Sequence, residues 1–273
     1  LLGVLVFRDL MLGKPDAQLS EVMYTNIFAL QPDMALTDAM KLTVNRHIPV
    51  YPVCDAEGRF LGLVRGQNLF EARAIEISAQ VGTMVGVEKE ERLSTPLFRS
   101  LRFRHPWLQI NLLTCFVAAA VVGVFQHTLD RIVLLAAFLP VLAGQSGNTG
   151  CQALAVTLRG ITMGDLESGD EKSLVLKEGL LGLFNGMLVG VSAALGMFVY
   201  AQMQGQAGAA ALAGVVWLSM VASCVTSGVA GALIPLLLRK IGADPATASS
   251  IFLTTATDVV SMGVFLGLAT VLV

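Results

Sequence analysis

The sequence predicts a mostly α-helical membrane protein, in which five transmembrane helices follow a small cytosolic α/β module and a connecting helical segment. Hydrophobic residues make up 55% of the 273 residues, charged residues only 14%, and the mean hydropathy is +0.71. Most of the charge falls in residues 1–105, and nearly continuous apolar segments fill the remainder. The net charge of −2 provides no basic surface for nucleic acid, so a nucleic-acid partner is not expected.

Residues 1–73 are predicted to form the α/β module, with the order strand, helix, strand, turn, strand, helix. An apolar strand opens the chain, and apolar spacing after residue 35 predicts a helix. The sequences RHIPV at 46–50, DAEGR at 55–59 and FLGLV at 60–64 predict two strands joined by a tight turn. The chain starts at Leu1 within the first strand, so we expect an upstream region that this sequence lacks.

With these residues, segment 21–73 resembles the second repeat of a cystathionine-β-synthase (CBS) pair, and residues 1–12 resemble the end of the first. The resemblance implies a regulatory module, and some CBS pairs bind adenine nucleotides. Nucleotide-binding repeats usually carry Ser/Thr-x-x-Asp after the last strand, where this chain has Arg65-Gly66-Gln67-Asn68. The hydroxyl and the ribose-binding carboxylate are both missing, which argues against ATP binding at this module.

A connecting, plug-like helical segment is predicted at 74–105, and the transmembrane domain at 106–273. The basic, amphipathic end of the connector suits either a plain juxtamembrane anchor or a dedicated regulatory helix. Each of the five apolar spans is long enough to cross about 30 Å of hydrocarbon. The predicted spans are 107–126, 132–158, 174–200, 208–238 and 246–273.

The distribution of basic residues predicts the orientation in the membrane. Arg131 alone falls on one side of the spans, and all other basic residues close to their ends fall on the opposite side. The positive-inside rule therefore places the α/β module in the cytoplasm and predicts a multi-pass protein of the cell (inner) membrane. The basic residues on the cytoplasmic side are Arg99, Arg102, Arg104, Arg159, Lys172, Lys177, Arg239 and Lys240.

The second span, around residues 134–159, is unusually polar for a lipid-facing helix. Pro140 removes a backbone donor, three glycines follow, and amide and hydroxyl side chains lie at membrane depth. Such groups are costly in hydrocarbon unless protein or water satisfies them, which predicts a break in the helix that forms the wall of a permeation path. A helix–helix contact built from small and polar residues is the alternative.

Asp258 is the acid that lies well inside a span, in the fifth, among several threonines and serines. An isolated carboxylate there costs about 2.5–3.5 kcal/mol even on the lenient insertion scale, so it should face water or a partner. Because the spans contain no intramembrane lysine or arginine, a cation from solution is the natural partner. A protonated Asp258 that bonds Thr254 or Asn148 is the structural alternative.

Three stretches together resemble the MgtE family of magnesium channels: LPVLAGQSGNTGCQALAVTLRGI at 139–161, KEGLLGLFNGMLVG at 177–190 and ADPATASSIFLTTATDVVSMGVFL at 243–266. The family typically has Gly-Gly-Asn where this chain has Ser146-Gly147-Asn148. The resemblance implies a homodimer whose pore is lined by the second and fifth spans, with Asp258 binding magnesium. It also implies magnesium as the transported ion. The residues expected to line the pore are Gly147, Asn148, Gln152, Thr254, Thr255 and Thr257.

Acids of the module and connector are candidates for regulation by intracellular magnesium. They would repel one another when packed unless divalent ions bridge them, so high magnesium would favour a closed state. The resemblance also implies closure by intracellular magnesium. The candidate residues are Asp55, Glu57, Glu71, Glu76 and Glu88.

The same residues bear on three other function classes. An intramembrane aspartyl protease needs two facing aspartates, but Asp130, Asp165 and Asp244 lie at span ends, so an enzyme is not expected. A non-conducting regulator would not need the polar second span. A secondary transporter coupled to protons or sodium remains the alternative, since Asp258 could also carry a proton.

Overall fold

The computed structural model describes residues 1–43, 49–166 and 169–273, without the side chains of five residues. It contains two compact units, Leu1–Ile77 and Ser78–Val273. The side chains outside the description are those of Thr37, Lys41, Ala72, Arg73 and Glu76.

The first unit contains short helices and one antiparallel hairpin, as the sequence predicts. A core of Leu30, Ala39, Tyr51 and Leu69 holds the hairpin against two of the helices. The elements are α1 (Phe7–Leu12), α2 (Leu19–Val22), α3 (Leu36–Thr43), β1 (Val50–Cys54), β2 (Phe60–Arg65) and the start of α4 (Gly66–Met84).

The hairpin pairs β1 with β2, with Val50 opposite Arg65. Its turn is closed by Asp55, whose carboxylate accepts the Arg59 N–H at 2.7 Å. On the other edge of β1, the Leu30 N–H donates to Pro52 and the Leu30 carbonyl accepts from Cys54, at 2.8 and 2.9 Å. Leu30 thus forms an isolated parallel bridge with Val53 beside the hairpin.

One predicted strand of this unit is shorter in the structure, and part of another lies outside the described residues. The predicted first strand is reduced to one bridge, in which Val4 and Tyr24 exchange hydrogen bonds of 3.1 and 2.9 Å. No other residue in the described ranges extends that pairing, so no ladder forms. Arg46 to Ile48 of the RHIPV strand lie outside the described residues, and β1 begins at Val50.

The second unit is a bundle of long helices that begins with the last turns of α4. Central α9 contacts α7, α8 and α10, and α5 contacts α10. The helices are α5 (Leu97–Val124), α6 (Gln126–Arg131), α7 (Leu134–Met163), α8 (Glu171–Met203), α9 (Ala209–Lys240) and α10 (Ser249–Leu272).

Four of the five predicted spans are helices long and apolar enough to cross a membrane: α5, α8, α9 and α10. The remaining span, α7, has 30 residues but is not among them, because its polar stretch makes it less apolar. The predicted break in α7 is wrong, since the helix continues through Pro140 and the glycines. Side chains bond their own helix instead: Ser146 donates to the Ala143 carbonyl and Thr149 to the Gln145 carbonyl, at 3.1 and 3.0 Å.

Small residues let α8 and α9 approach closely. A Cβ atom on Gly182 would lie 2.3 Å from the carbonyl oxygen of Cys224, and one on Gly228 would lie 2.3 Å from that of Glu178. The spacing in α8 continues to Gly186, which faces the backbone of Val221. These glycines are therefore required by the backbone contact between α8 and α9, and they fix the two helices against each other.

Candidate ion pathway

Asp258 lies in the middle of α10 and its side chain is half-buried. Its carboxylate makes no hydrogen bond or ion pair with any residue of the described ranges. The alternative in which Asp258 bonds Thr254 or Asn148 therefore has no support in the geometry. Within the same ranges no group of three or more His, Cys, Asp and Glu side chains could hold a metal ion. Asp258 is therefore a carboxylate without a partner in the described part of the chain.

The threonines that precede Asp258 turn their hydroxyl hydrogens toward their own helix. Thr254 and Thr255 both donate to the Ile251 carbonyl, at 3.1 and 2.8 Å, and both side chains remain half-buried. Their oxygen lone pairs stay available as acceptors. Thr257 differs, because it is only 1% exposed and lies inside the helix bundle, donating to the Thr254 carbonyl at 3.0 Å.

The polar stretch of α7 lies level with Asp258. The two helices run antiparallel, since the start of α7 packs near the end of α10 in one cluster and Leu154 packs with Leu253 in another. A Cβ atom on Gly150 would come within 2.9 Å of Leu253 Cδ1, which fixes the register. Asp258 is five residues beyond Leu253, about 7.5 Å along the axis, and hence level with about residue 145 of α7.

Of the predicted pore residues in α7, Asn148 is exposed on the surface of the bundle and Gly147 is half-buried. Gln152 belongs to a different environment, because it lines a cavity of about 240 Å³ between α7, α8 and α9. Asn185 and the buried Glu178, which is only 6% exposed, line the same cavity. The Glu178 carboxylate has no hydrogen-bond or ion-pair partner among the described residues. The sequence places Glu178 near the start of its span, but not in a cavity with Gln152.

The start of α10 is held by the last two residues of α4. The Ala248 N–H donates to the Thr83 carbonyl at 3.0 Å, and the Ser250 hydroxyl donates to the Met84 carbonyl at 2.8 Å. Ala248 has φ of 50°, a left-handed conformation that costs a non-glycine residue about 1–2 kcal/mol. It is fully buried, so its surroundings hold this conformation in place.

The last turns of α4 also contact α7. Gln80 Nε2 donates to Thr162 Oγ1 at 2.8 Å, near the last turn of α7. Both helices that carry the predicted pore residues are thus bonded, at one end of the bundle, to residues 80–84. A movement of this segment would act on α7 and α10 together.

The candidate regulatory acids occupy separate positions. Asp55 is engaged in the hairpin turn, Glu57 is exposed, and Glu71 accepts a 2.7 Å hydrogen bond from Gln67. Glu88 is exposed and belongs to the second unit. The side chain of Glu76 lies outside the described residues.

Comparison with known proteins finds a match within each unit. A CBS domain model matches residues 19–75, and the model of MgtE, a divalent cation transporter, matches residues 139–268. The match to MgtE spans α7 to α10 and includes Asp258. The chain carries an MgtE domain preceded by a CBS domain.

Three curated relatives, each named magnesium transporter MgtE, match nearly the whole chain. The protein of Thermus thermophilus is 30% identical over 273 residues, 99% of this chain and 59% of its own length. Those of Bacillus subtilis and Enterococcus faecalis are each 27% identical, over 99% and 98% of this chain and 58% of their own lengths. The chain thus spans about three fifths of the length of these MgtE relatives, and it is a membrane protein.

Proposed function

We propose that this chain transports magnesium across the membrane through a homodimeric pore lined by α7 and α10. The observation that carries the proposal is the unpaired, half-buried carboxylate of Asp258, level with the polar stretch of α7. A carboxylate at this depth needs water or a cation beside it. The names of the three relatives support magnesium as that cation.

A dimer supplies what one chain lacks. Magnesium gives up its waters reluctantly and is usually held by one or two carboxylates with several waters retained. Two copies of Asp258 around a twofold axis provide two carboxylates. The hydration waters donate outward, and the lone pairs of Thr254 and Thr255 are acceptors for them. A site with few acids also binds weakly enough for release, as conduction requires.

We further propose that intracellular magnesium closes this pore through the CBS module. The contacts of residues 80–84 with the ends of α7 and α10 support mechanical coupling, since these residues directly follow the module. Magnesium shifts the equilibrium only by its differential affinity for the closed and open states. Bridging of the candidate acids in the closed state would provide that difference.

Flux in liposomes tests the proposal. The full chain is reconstituted, a magnesium gradient is imposed, and uptake is followed with a magnesium-sensitive dye, with and without proton or sodium gradients. A channel gives uptake that depends on the magnesium gradient and the membrane potential alone. Uptake that requires a second ion gradient contradicts a channel, and no uptake above that of empty liposomes contradicts magnesium transport itself.

The cavity that contains Glu178 favours a second candidate, a transporter coupled to protons or sodium. A buried carboxylate with no partner in the described part of the chain, beside Gln152 and Asn185, is a site at which a coupling ion could bind. In that case Glu178→Gln would abolish the dependence of magnesium uptake on the second gradient. In a channel, Glu178→Gln would leave the uptake under potential drive unchanged.

A further inference from the structure

A groove of about 1100 Å³ runs along the outer surface between α8 and α9. Leucines and valines from both helices form most of it, including the exposed Leu176, Leu180 and Leu233. Gly179 lies at its floor, where an added Cβ atom would come within 3.1 Å of Val229. The side chains of one bundle do not fill this groove, so another apolar molecule must cover it in a membrane.

One end of the groove is positively charged. Lys172 at the start of α8 and Arg239 and Lys240 at the end of α9 line it, and all three are exposed. None of the three makes an ion pair with a residue of the described ranges. Glu171 also lines this end, but its carboxylate accepts the Gly169 N–H at 3.1 Å and is turned toward the loop.

The length of the groove matches one membrane leaflet. From Lys172, the last lining residue of α8 is Leu183, eleven residues further, or about 17 Å at about 1.5 Å per residue. Half of a hydrocarbon core of about 30 Å is about 15 Å. The charged end lies on the side that the basic residues predict to be cytoplasmic, where anionic lipids are concentrated.

We propose that this groove binds one anionic phospholipid of the cytoplasmic leaflet per protomer. The phosphate contacts Lys172, Arg239 and Lys240, and the acyl chains lie along the leucines and valines of α8 and α9. Basic pockets between transmembrane helices on the cytoplasmic side are a known form of recognition for anionic headgroups. A zwitterionic lipid would fill the same apolar groove but would gain less from its charged end.

Native mass spectrometry of the full chain, released from nanodiscs of equal phosphatidylcholine and phosphatidylglycerol, tests this proposal. We expect about one phosphatidylglycerol per protomer to remain after phosphatidylcholine is stripped. The triple variant K172Q/R239Q/K240Q should retain it roughly tenfold less, because each basic residue near the surface contributes to binding. The control triple R92Q/R102Q/R159Q removes the same charge from exposed positions outside the groove and should retain it fully.

A second variant separates the groove from general surface charge. Leu233→Trp fills the apolar part without changing charge, at a side chain that is already 40% exposed, so the fold should persist. It should also reduce the retained lipid. Equal losses in the two triple variants, or full retention in Leu233→Trp, would overturn the proposal. Disulfide-linked dimers of Leu180→Cys, beyond those of the unmodified chain, would show that a second copy covers the groove and would also overturn it.

Discussion

Lys89 Nζ lies 2.6 Å from the Asp244 carboxylate, so the segment after α4 is tied by charge to the loop that precedes α10. Asp244 also accepts the Ala246 N–H at 2.9 Å, which shapes that loop. The two side chains are 53% and 35% exposed, so water screens the pair. Its contribution to the free energy of unfolding is therefore at most about 1 kcal/mol. Its effect should appear in the coupling of the segment to α10 instead.

Lys89→Gln should weaken the closure of the pore by internal magnesium. The variant removes one link between the segment and α10, so a movement of the module is transmitted less fully. We expect the internal magnesium concentration for half-maximal closure to rise several-fold, measured as channel activity in excised patches. Arg92→Gln is the control, because Arg92 is exposed nearby and has no ion pair in the described ranges. Identical closure in the two variants would contradict the coupling role.

The same pair predicts a pH dependence. Burial by itself would raise the pKa of Asp244, but hydrogen bonds from Lys89 and the Ala246 N–H, with the Lys89 charge, lower that pKa below its usual value. A lowered pKa in the folded state means that the stabilisation is present above the unfolded pKa of about 3.9 and is lost as pH falls through the folded value.

Below about pH 4, the unmodified chain should therefore lose slightly more stability than Asp244→Asn does. Thermal unfolding in detergent between pH 6 and 3 measures this difference. Asp244→Asn should lack this extra loss, because its amide does not titrate. The comparison is between the two slopes of melting temperature against pH. If the slopes are the same, Asp244 does not contribute an acid-sensitive contact.

Asp258→Asn should fold normally and lose most of its magnesium uptake. The amide keeps the size of the side chain but removes both carboxylates of a dimeric site, so we expect at least about a tenfold fall in flux. Asp258→Glu should retain part of the flux because it keeps the charge. Asp130→Asn, on the exposed face of short helix α6, is the matched control and should transport normally. Unchanged flux in Asp258→Asn would refute its assignment to the ion site.

The long helices are predicted well from the sequence, because their apolar runs indicate directly that lipid surrounds them. The long apolar runs form α5, α8, α9 and α10, and the hairpin of the first unit lies where its turn residues predict it. The predicted break in α7 could not be excluded from the sequence. The same hydroxyls can donate hydrogen bonds either to water in a permeation path or to carbonyls of their own helix. In the structure Ser146 and Thr149 do the latter.

Positions around a helix are harder to predict than positions along it. Asn148 and Gln152 are one turn apart, yet Gln152 lines a cavity with Glu178, which depends on where α8 packs. Likewise the links from Thr83 and Met84 to α10 join residues more than 160 positions apart, without a local signal in the sequence. Two buried hydroxyls of α9, Ser223 and Ser227, have no partner in the described ranges.

Gly182→Ala should destabilise the bundle. The new methyl group would collide with the backbone carbonyl of Cys224, which cannot move without separating α8 from α9. Overpacking of this kind typically costs about 1–3 kcal/mol. Gly196→Ala in the same helix has open space and should be neutral or stabilising by up to about 1 kcal/mol, since alanine favours helix. Thermal unfolding of the two variants in one detergent makes the comparison, and equal melting temperatures would contradict the close contact.

Asn148→Leu should block magnesium uptake without reducing stability. Asn148 is exposed on α7, so leucine fits there and favours helix more than asparagine does. The variant lacks the carboxamide, which can donate hydrogen bonds to the waters of a hydrated ion and accept hydrogen bonds from them. Ser219→Ala is the control, because this hydroxyl is fully buried in α9 and donates to its own helix at the Val215 carbonyl. We expect Ser219→Ala to transport normally and Asn148→Leu to lose uptake in liposomes, with both proteins melting near the unmodified chain. If the two variants transport equally, the polar stretch of α7 serves packing and does not line the pathway.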